Sequence, residues 1–126
     1  EAYFRRPSTT DYNGVYKGYY IDFDAKETRN KRSFPLKNFH PHQIRHMREC
    51  IKQGGICFAF IKFTELDLIY LLPATNLFEF WDQQESGGRK SIPLASIEKC
   101  GYQIGYRLNP RLPYLEAVDR IIANTK

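Results

Sequence analysis

No apolar run in this sequence approaches the roughly 20 residues needed to cross a bilayer, and its first residues lack the charged segment and apolar core of a secretory signal. The expectation is a soluble, cytoplasmic chain. Cysteine is scarce: Cys50, Cys57 and Cys100 form an odd count at spacings unlike a paired framework or a zinc site, which points to reduced, partly buried thiols. Internal repeats and low-complexity tracts are absent. Disorder is excluded by a composition that is 42% hydrophobic and 15% aromatic, while seven Pro and eight Gly imply many turns. At 126 residues the chain fits one domain, 1–126, with a sizeable core. It starts at Glu1, inside sequence that already reads as structured, as the remainder of something longer would.

Charge is present, and it is unevenly placed. Residues 1–25 carry three basic and four acidic groups, and residues 53–126 carry eight of each. Residues 26–52 carry eight basic groups against two acidic ones. The whole excess thus falls in one segment (Lys26, Arg29, Lys31, Arg32, Lys37, Arg45, Arg48, Lys52), as in a surface that tracks phosphates, although a generic solvated face would look the same.

Residues 15–25 are rich in aromatic and β-branched side chains and are interrupted at Gly18, which predicts a β-hairpin or bent strand pair. Alternation along its second strand turns Ile21, Phe23 and Ala25 to one side and Tyr20, Asp22, Asp24 and Lys26 to the other, one face for the core and one for chemistry. Residues 27–38 are polar, basic and contain Pro35, and are expected to form a loop ordered by a ligand. A helix follows over 42–53, closed by Gly54-Gly55, with Ile44, Met47, Cys50 and Ile51 inward and Arg45, Arg48 and Lys52 outward. Gln43 falls about 50° from the centre of that apolar stripe, so it leans toward the sheet.

Residues 56–63 and 66–72 read as strands, the first of them covered on both faces. Thr75 or Asn76 is expected to cap a short helix carrying Leu77, Phe78, Phe80 and Trp81, aromatics assigned to the core or a dimer interface. A surface turn at 86–90, a short helix at 93–99 and a terminal amphipathic helix at 113–124 complete the pattern. The class is a mixed α/β core.

The chemistry-bearing element is an acidic residue, Asp11, ahead of Asp24-Ala25-Lys26 on a strand and a glutamine on the next helix. Asp24 and Lys26 share a strand face about 6.6 Å apart at Cα, close enough to reach one phosphate. Hydrolysis of a phosphodiester requires neutralised phosphoryl oxygens, an activated water and a stabilised leaving oxygen. Mg²⁺ held by two aspartates supplies these, with a side-chain amide or backbone carbonyl as a further donor, and a lysine adds a mobile point charge. The same residues are compatible with an exposed strand face and an ordinary ion pair. His40, His42 and His46 are assigned to loop and helix-face positions rather than to a metal, for lack of nearby carboxylates.

The stretches PSTTDYNGVYKG (7–18), YIDFDAKET (20–28), SFPLKNFH (33–40), HQI (42–44), GICF (55–58) and GRKS (88–91) together resemble the RecU family of Holliday junction resolvases, within the PD-(D/E)xK nuclease superfamily. The resemblance implies a restriction-endonuclease-like mixed sheet flanked by helices. It also implies a homodimeric, cytoplasmic, nucleoid-associated enzyme that nicks two opposed strands of a four-way junction in recombination and repair. Recombinase and branch-migration proteins are implied as further partners. Implied metal ligands are Thr9, Asp11, Asp24 and Gln43, with Mg²⁺ as the ion and Mn²⁺ as a substitute, and Lys26 stabilises the transition state. A turn-capping hydroxyl is the other role open to Thr9.

The family usually has Glu where this chain has Asp24, and its members carry an N-terminal region ahead of residue 1. Residues 1–7 then match the returning segment of a protruding stalk. Tyr3, Arg5 and Arg6 there, with Arg29, Lys31, Arg32, Lys37 and Arg45, are the candidate DNA contacts; Tyr3 and Phe4 are also suited to packing against the other half of the stalk. The competing class is a junction-binding or DNA-architectural module that does not cut. A third reading is a sequence-specific nuclease of the same superfamily.

Overall fold

The computed structural model describes residues 12–105 and 114–125. Its first strands, β1 (Tyr12–Tyr16) and β2 (Tyr19–Thr28), form the expected hairpin, joined at Lys17 and Gly18, both with positive φ (52° and 83°). Two successive left-handed residues twist a two-residue turn the way the strands twist, and glycine takes such a conformation without steric cost. Lys17 donates to Asp119 at 3.0 Å and so ties the turn to the C-terminal helix, through a solvent-accessible pair that adds little stability.

The central sheet continues through β4 (Ile56–Phe63), β5 (Leu68–Pro73) and β7 (Tyr102–Gln103), in the order β1-β2-β4-β5-β7. Only the β2–β4 pair is parallel; the other three are antiparallel. A parallel pair needs a crossover, and here it is supplied by β3 (Ser33–Pro35), a 3-10 turn (Leu36–Asn38) and α1 (Pro41–Lys52). Helices α2 (Ala74–Glu85), α3 (Leu94–Cys100) and α4 (Tyr114–Asn124) complete the element order, with β6 (Ser91–Pro93) pairing β3 in a small separate ribbon.

Alternation along the central strands sorts side chains into two cores. On one face Cys57, Ala59, Ile61 and Phe63 of β4 pack with Ile44 and Met47 of α1, Leu77 and Trp81 of α2 and Ile97 of α3. On the other, Ile21, Ile56, Phe58 and Leu71 pack with Ala117, Val118, Ile121 and Ile122 of α4. The sheet is therefore sandwiched by helices, as the apolar run of β4 implied.

Four sequence expectations need correction. Residues 27–38 are not one loop: β2 runs to Thr28, and Phe34 and Leu36 are fully buried, because β3 pairs with β6 and the Leu36 N–H reaches the Lys90 carbonyl. Only Arg29 to Arg32 lie between elements there. The fifth strand begins at Leu68, after a turn in which Asp67 has φ of 56°. The following helix is longer than expected and starts at Ala74 behind Pro73, with no side-chain cap from Thr75 or Asn76. The face of β2 read as chemistry rather than core is itself covered, with Asp22 and Asp24 both fully buried.

Candidate active site

Three residues predicted to act together do meet. Asp24 on β2 accepts a hydrogen bond from Gln43 Nε2 at 2.8 Å and an ion pair from Lys26 Nζ at 3.0 Å, both on its Oδ2. Strand alternation puts Asp24 and Lys26 on one face, and the crossover lays α1 over that face. Gln43 is 4% exposed, as its phase on α1 required. It is held from behind: its Oε1 accepts the backbone N–H of His40 at 3.1 Å, half of a reciprocal cap at the start of α1, where Pro41 occupies the first helical position.

Lys26 is the outlet of this buried group. Its side chain retains 19% exposure while Asp24 retains none, and its ammonium stands 5.6 Å from the ring centroid of buried Phe39. A cation at the rim, backed by a buried carboxylate and an amide, presents positive charge outward on a rigid strand. That is suited to a phosphate.

The basic segment follows Lys26 in the chain. Arg29, Lys31, Arg32, Lys37 and Arg45 are all exposed, and none of the five pairs with an acidic group among the described residues. Arg48 differs, since it binds Asp82 and lies over the Phe78 ring at 4.4 Å, and Lys52 binds Glu49. Those two cations are engaged with the protein's own helices. The candidate ligands Thr9 and Asp11 and the candidate DNA contacts Tyr3, Arg5 and Arg6 lie outside the described residues, as does Phe4.

A second polar group was missed by the sequence reading. Asp22 Oδ2 accepts from Tyr20 Oη at 3.0 Å and lies 2.7 Å from His46 Nε2 and 3.6 Å from Cys50 Sγ. The expectation that the histidines have no carboxylate near them is therefore wrong for His46. The available signals were the i, i+4 spacing of His46 and Cys50 on α1 and the alternation that sets Asp22 beside Asp24. Together Asp22, His46 and Cys50 form a group whose donor atoms could hold a metal ion.

Burial, reinforced by the charge of Asp22, pushes the Cys50 thiol up to about 11, and burial pushes the Cys57 thiol up further. All three cysteines are free, in agreement with the sequence. Alkylation of Cys50 by iodoacetamide is accordingly expected to be slow at pH 8 and to accelerate roughly tenfold per pH unit until about pH 11, because only the thiolate reacts. Mass spectrometry of partially modified protein checks this. A Cys50 rate that levels off near pH 8.5 would contradict it.

A buried carboxylate with a lysine two residues on, set on an inner strand of a mixed sheet flanked by helices, makes an α/β domain consistent with a nuclease-like fold. It belongs to the RecU family: the family model described as Recombination protein U matches residues 1–120. The chain is 83% identical over 123 residues to the Holliday junction resolvase RecU of Limosilactobacillus reuteri, covering 98% of this chain and 60% of that protein. It is 67% identical to the resolvase of Limosilactobacillus fermentum (98% and 58%) and 64% identical to that of Pediococcus pentosaceus (98% and 62%). The chain thus spans about 60% of the length of the curated relatives it matches.

Proposed function

We propose that this chain is the catalytic core of a divalent-metal-dependent endonuclease that resolves four-way DNA junctions by paired, symmetric nicks. The observation that carries the proposal is the Asp24–Lys26–Gln43 group, with a buried carboxylate joined at 3.0 Å to a lysine that alone of the two reaches solvent. Membership of the RecU family supplies the substrate, because the relatives are named for it.

The donors fit Mg²⁺ in type, since Asp24 offers hard carboxylate oxygens. The site of that ion would be formed by Asp24 with Asp11, with Thr9 and Gln43 as further donors. Tyr12 pairs with Phe23, so Asp11 immediately precedes one member of that rung and Asp24 immediately follows the other. Gln43 presents its amide nitrogen to Asp24, so to serve as a ligand it would turn its oxygen inward and give up the His40 N–H. When bound, a divalent cation supplies charge neutralisation at the phosphate and a water acidic enough to attack it.

The chain's own residues do the rest. The Lys26 ammonium binds a non-bridging phosphoryl oxygen and stabilises the charge that grows there as the water adds. Asp24 aims the Lys26 ammonium, and Gln43 fixes the Asp24 carboxylate. Arg29, Lys31, Arg32, Lys37 and Arg45 grip backbone phosphates on either side of the cut, without reading bases. Two nicks related by a two-fold axis call for a second copy of the chain, since a junction's opposed strands present the same geometry to each. The setting that follows from this substrate is chromosomal DNA in the cytoplasm.

The test is cleavage of a synthetic four-way junction and of a linear duplex of the same sequences by the full-length protein, in Mg²⁺ and in EDTA. Junction-selective, Mg²⁺-dependent symmetric nicking supports the proposal. Equal cutting of the duplex favours a sequence-specific nuclease, and tight binding without cutting favours an architectural module. In either binding reading, Arg29→Ala with Lys31→Ala is expected to lower the slope of log affinity against log salt by about two, the measure of two lost phosphate contacts.

A further inference from the structure

The proposed active site leaves Asp22, His46 and Cys50 unused. They sit on the same two elements, with Asp22 two residues before Asp24 on β2 and His46 and Cys50 one and two turns beyond Gln43 on α1. Asp22 is fully buried, yet among the described residues its Oδ1 has no hydrogen-bond partner, while its Oδ2 faces both His46 and Cys50. A buried carboxylate with an unpaired oxygen is costly, and such a group in a native fold calls for a reason.

Two readings of an Asp–His–Cys trio are open in principle. A nucleophilic cysteine activated through histidine requires the two ring nitrogens to divide the work, one toward the carboxylate and one toward the sulfur. Here one nitrogen, Nε2, faces both, at 2.7 Å from Asp22 Oδ2 and 3.5 Å from Cys50 Sγ. Three donor atoms converging on one point is instead the geometry of metal ligation.

The distances can be compared with a tetrahedral centre. Metal–sulfur, metal–nitrogen and metal–oxygen bonds of about 2.3, 2.0–2.1 and 2.0–2.2 Å give edges of about 3.5 Å for S–N, 3.6 Å for S–O and 3.4 Å for N–O. The structure has 3.5 Å for S–N, 3.6 Å for S–O and 2.7 Å for N–O. Two edges already match, and the third needs an opening of about 0.7 Å, a modest movement for a histidine whose side chain is 27% exposed. Thiolate with imidazole selects a soft or borderline ion over Mg²⁺.

We infer that Asp22, His46 and Cys50 form a second metal site, specific for a thiophilic divalent cation of the zinc class and distinct from the hard-cation site at Asp24. Binding replaces the Cys50 thiol proton, which leaves to solvent, by the metal; the imidazole binds neutral and the carboxylate ionised. The ion pins α1 to β2 next to the Gln43–Asp24 contact.

Co²⁺, a spectroscopic stand-in for Zn²⁺, tests this on the full-length protein under reducing conditions with excess Mg²⁺. Expected are one Co²⁺ per chain with a thiolate-to-cobalt absorption band in the near ultraviolet, displaced by Zn²⁺ but not by Mg²⁺. Cys50→Ser should remove the band, and His46→Gln should weaken Co²⁺ binding by about tenfold or more. Zn²⁺ should raise the melting temperature of the wild type and not that of Cys50→Ser, with metal-free melting of both variants confirming that they fold. The absence of a sulfur-dependent band, or a band that persists at full strength in Cys50→Ser, overturns the site. Neither result bears on Mg²⁺-dependent junction cleavage, which is measured separately with zinc chelated.

Discussion

Replacing Asp24 with Asn is expected to slow junction cleavage by about a thousandfold, and Lys26→Ala by about a hundred- to a thousandfold, in single-turnover assays at saturating Mg²⁺. The two changes act on one unit, so the double variant should be little worse than Asp24→Asn alone. The Asn side chain has nearly the same shape and can still accept from Gln43 and Lys26, so the effect isolates charge rather than packing. Removing the charge takes away the proposed cation ligand and leaves Lys26 without its counterion, 3.0 Å away in the wild type. Junction binding, followed by gel shift in Ca²⁺, should change by less than about threefold, because the proposed grip comes from the exposed basic surface and not from a fully buried carboxylate. Cleavage within about threefold of wild type in both variants would remove these residues from the chemistry.

The largest loss of stability is expected from Phe58→Ala, about 3–5 kcal/mol by denaturant unfolding. Phe58 is fully buried on β4, stacked at 4.9 Å with Phe23 across the parallel β2–β4 pair and edge-on to Phe60 at 5.6 Å. Removing it opens a void under β2, in the core that α4 closes. For a domain of this size the melting temperature should fall by roughly 10–20 °C. A loss under about 1.5 kcal/mol would mean that Phe23, Phe60 and Tyr114 collapse into the space. Because Phe23 precedes Asp24, cleavage should fall as well, and partly recover with Phe58→Leu, which fills more of the void.

Local pattern made a good part of this arrangement readable from the residues alone. The hairpin broken at Gly18, the strand at Ile56–Phe63, the helix end at Gly54 and the inward tilt of Gln43 all follow from periodicities of two and 3.6 and from turn chemistry, which act over a few residues. The pairing of Asp24 with Lys26 is of the same kind, a two-residue alternation. Family membership was also legible, since the motifs that carry it are short and contiguous, and the family match over residues 1–120 agrees with them.

Contacts that depend on where distant segments meet were not legible. The ribbon of β3 with β6 joins Ser33 to Pro93, and it buries Phe34 in a stretch whose composition reads as loop. The helix after Pro73 starts without any of the side-chain caps that mark such starts, because packing of Ala74, Leu77, Phe78 and Trp81 supplies its stability instead. Burial of Asp22 under α1, 24 residues from the His46 that meets it, depends on the direction of the crossover between two parallel strands. Residue types and their alternation decided which side chains share a strand face and which lean inward, since those are properties of a single extended or helical segment. Which helix covers that face, and hence which carboxylate becomes dry, paired and chemically useful, was decided only when the chain closed on itself, because burial is set by neighbours far away in sequence.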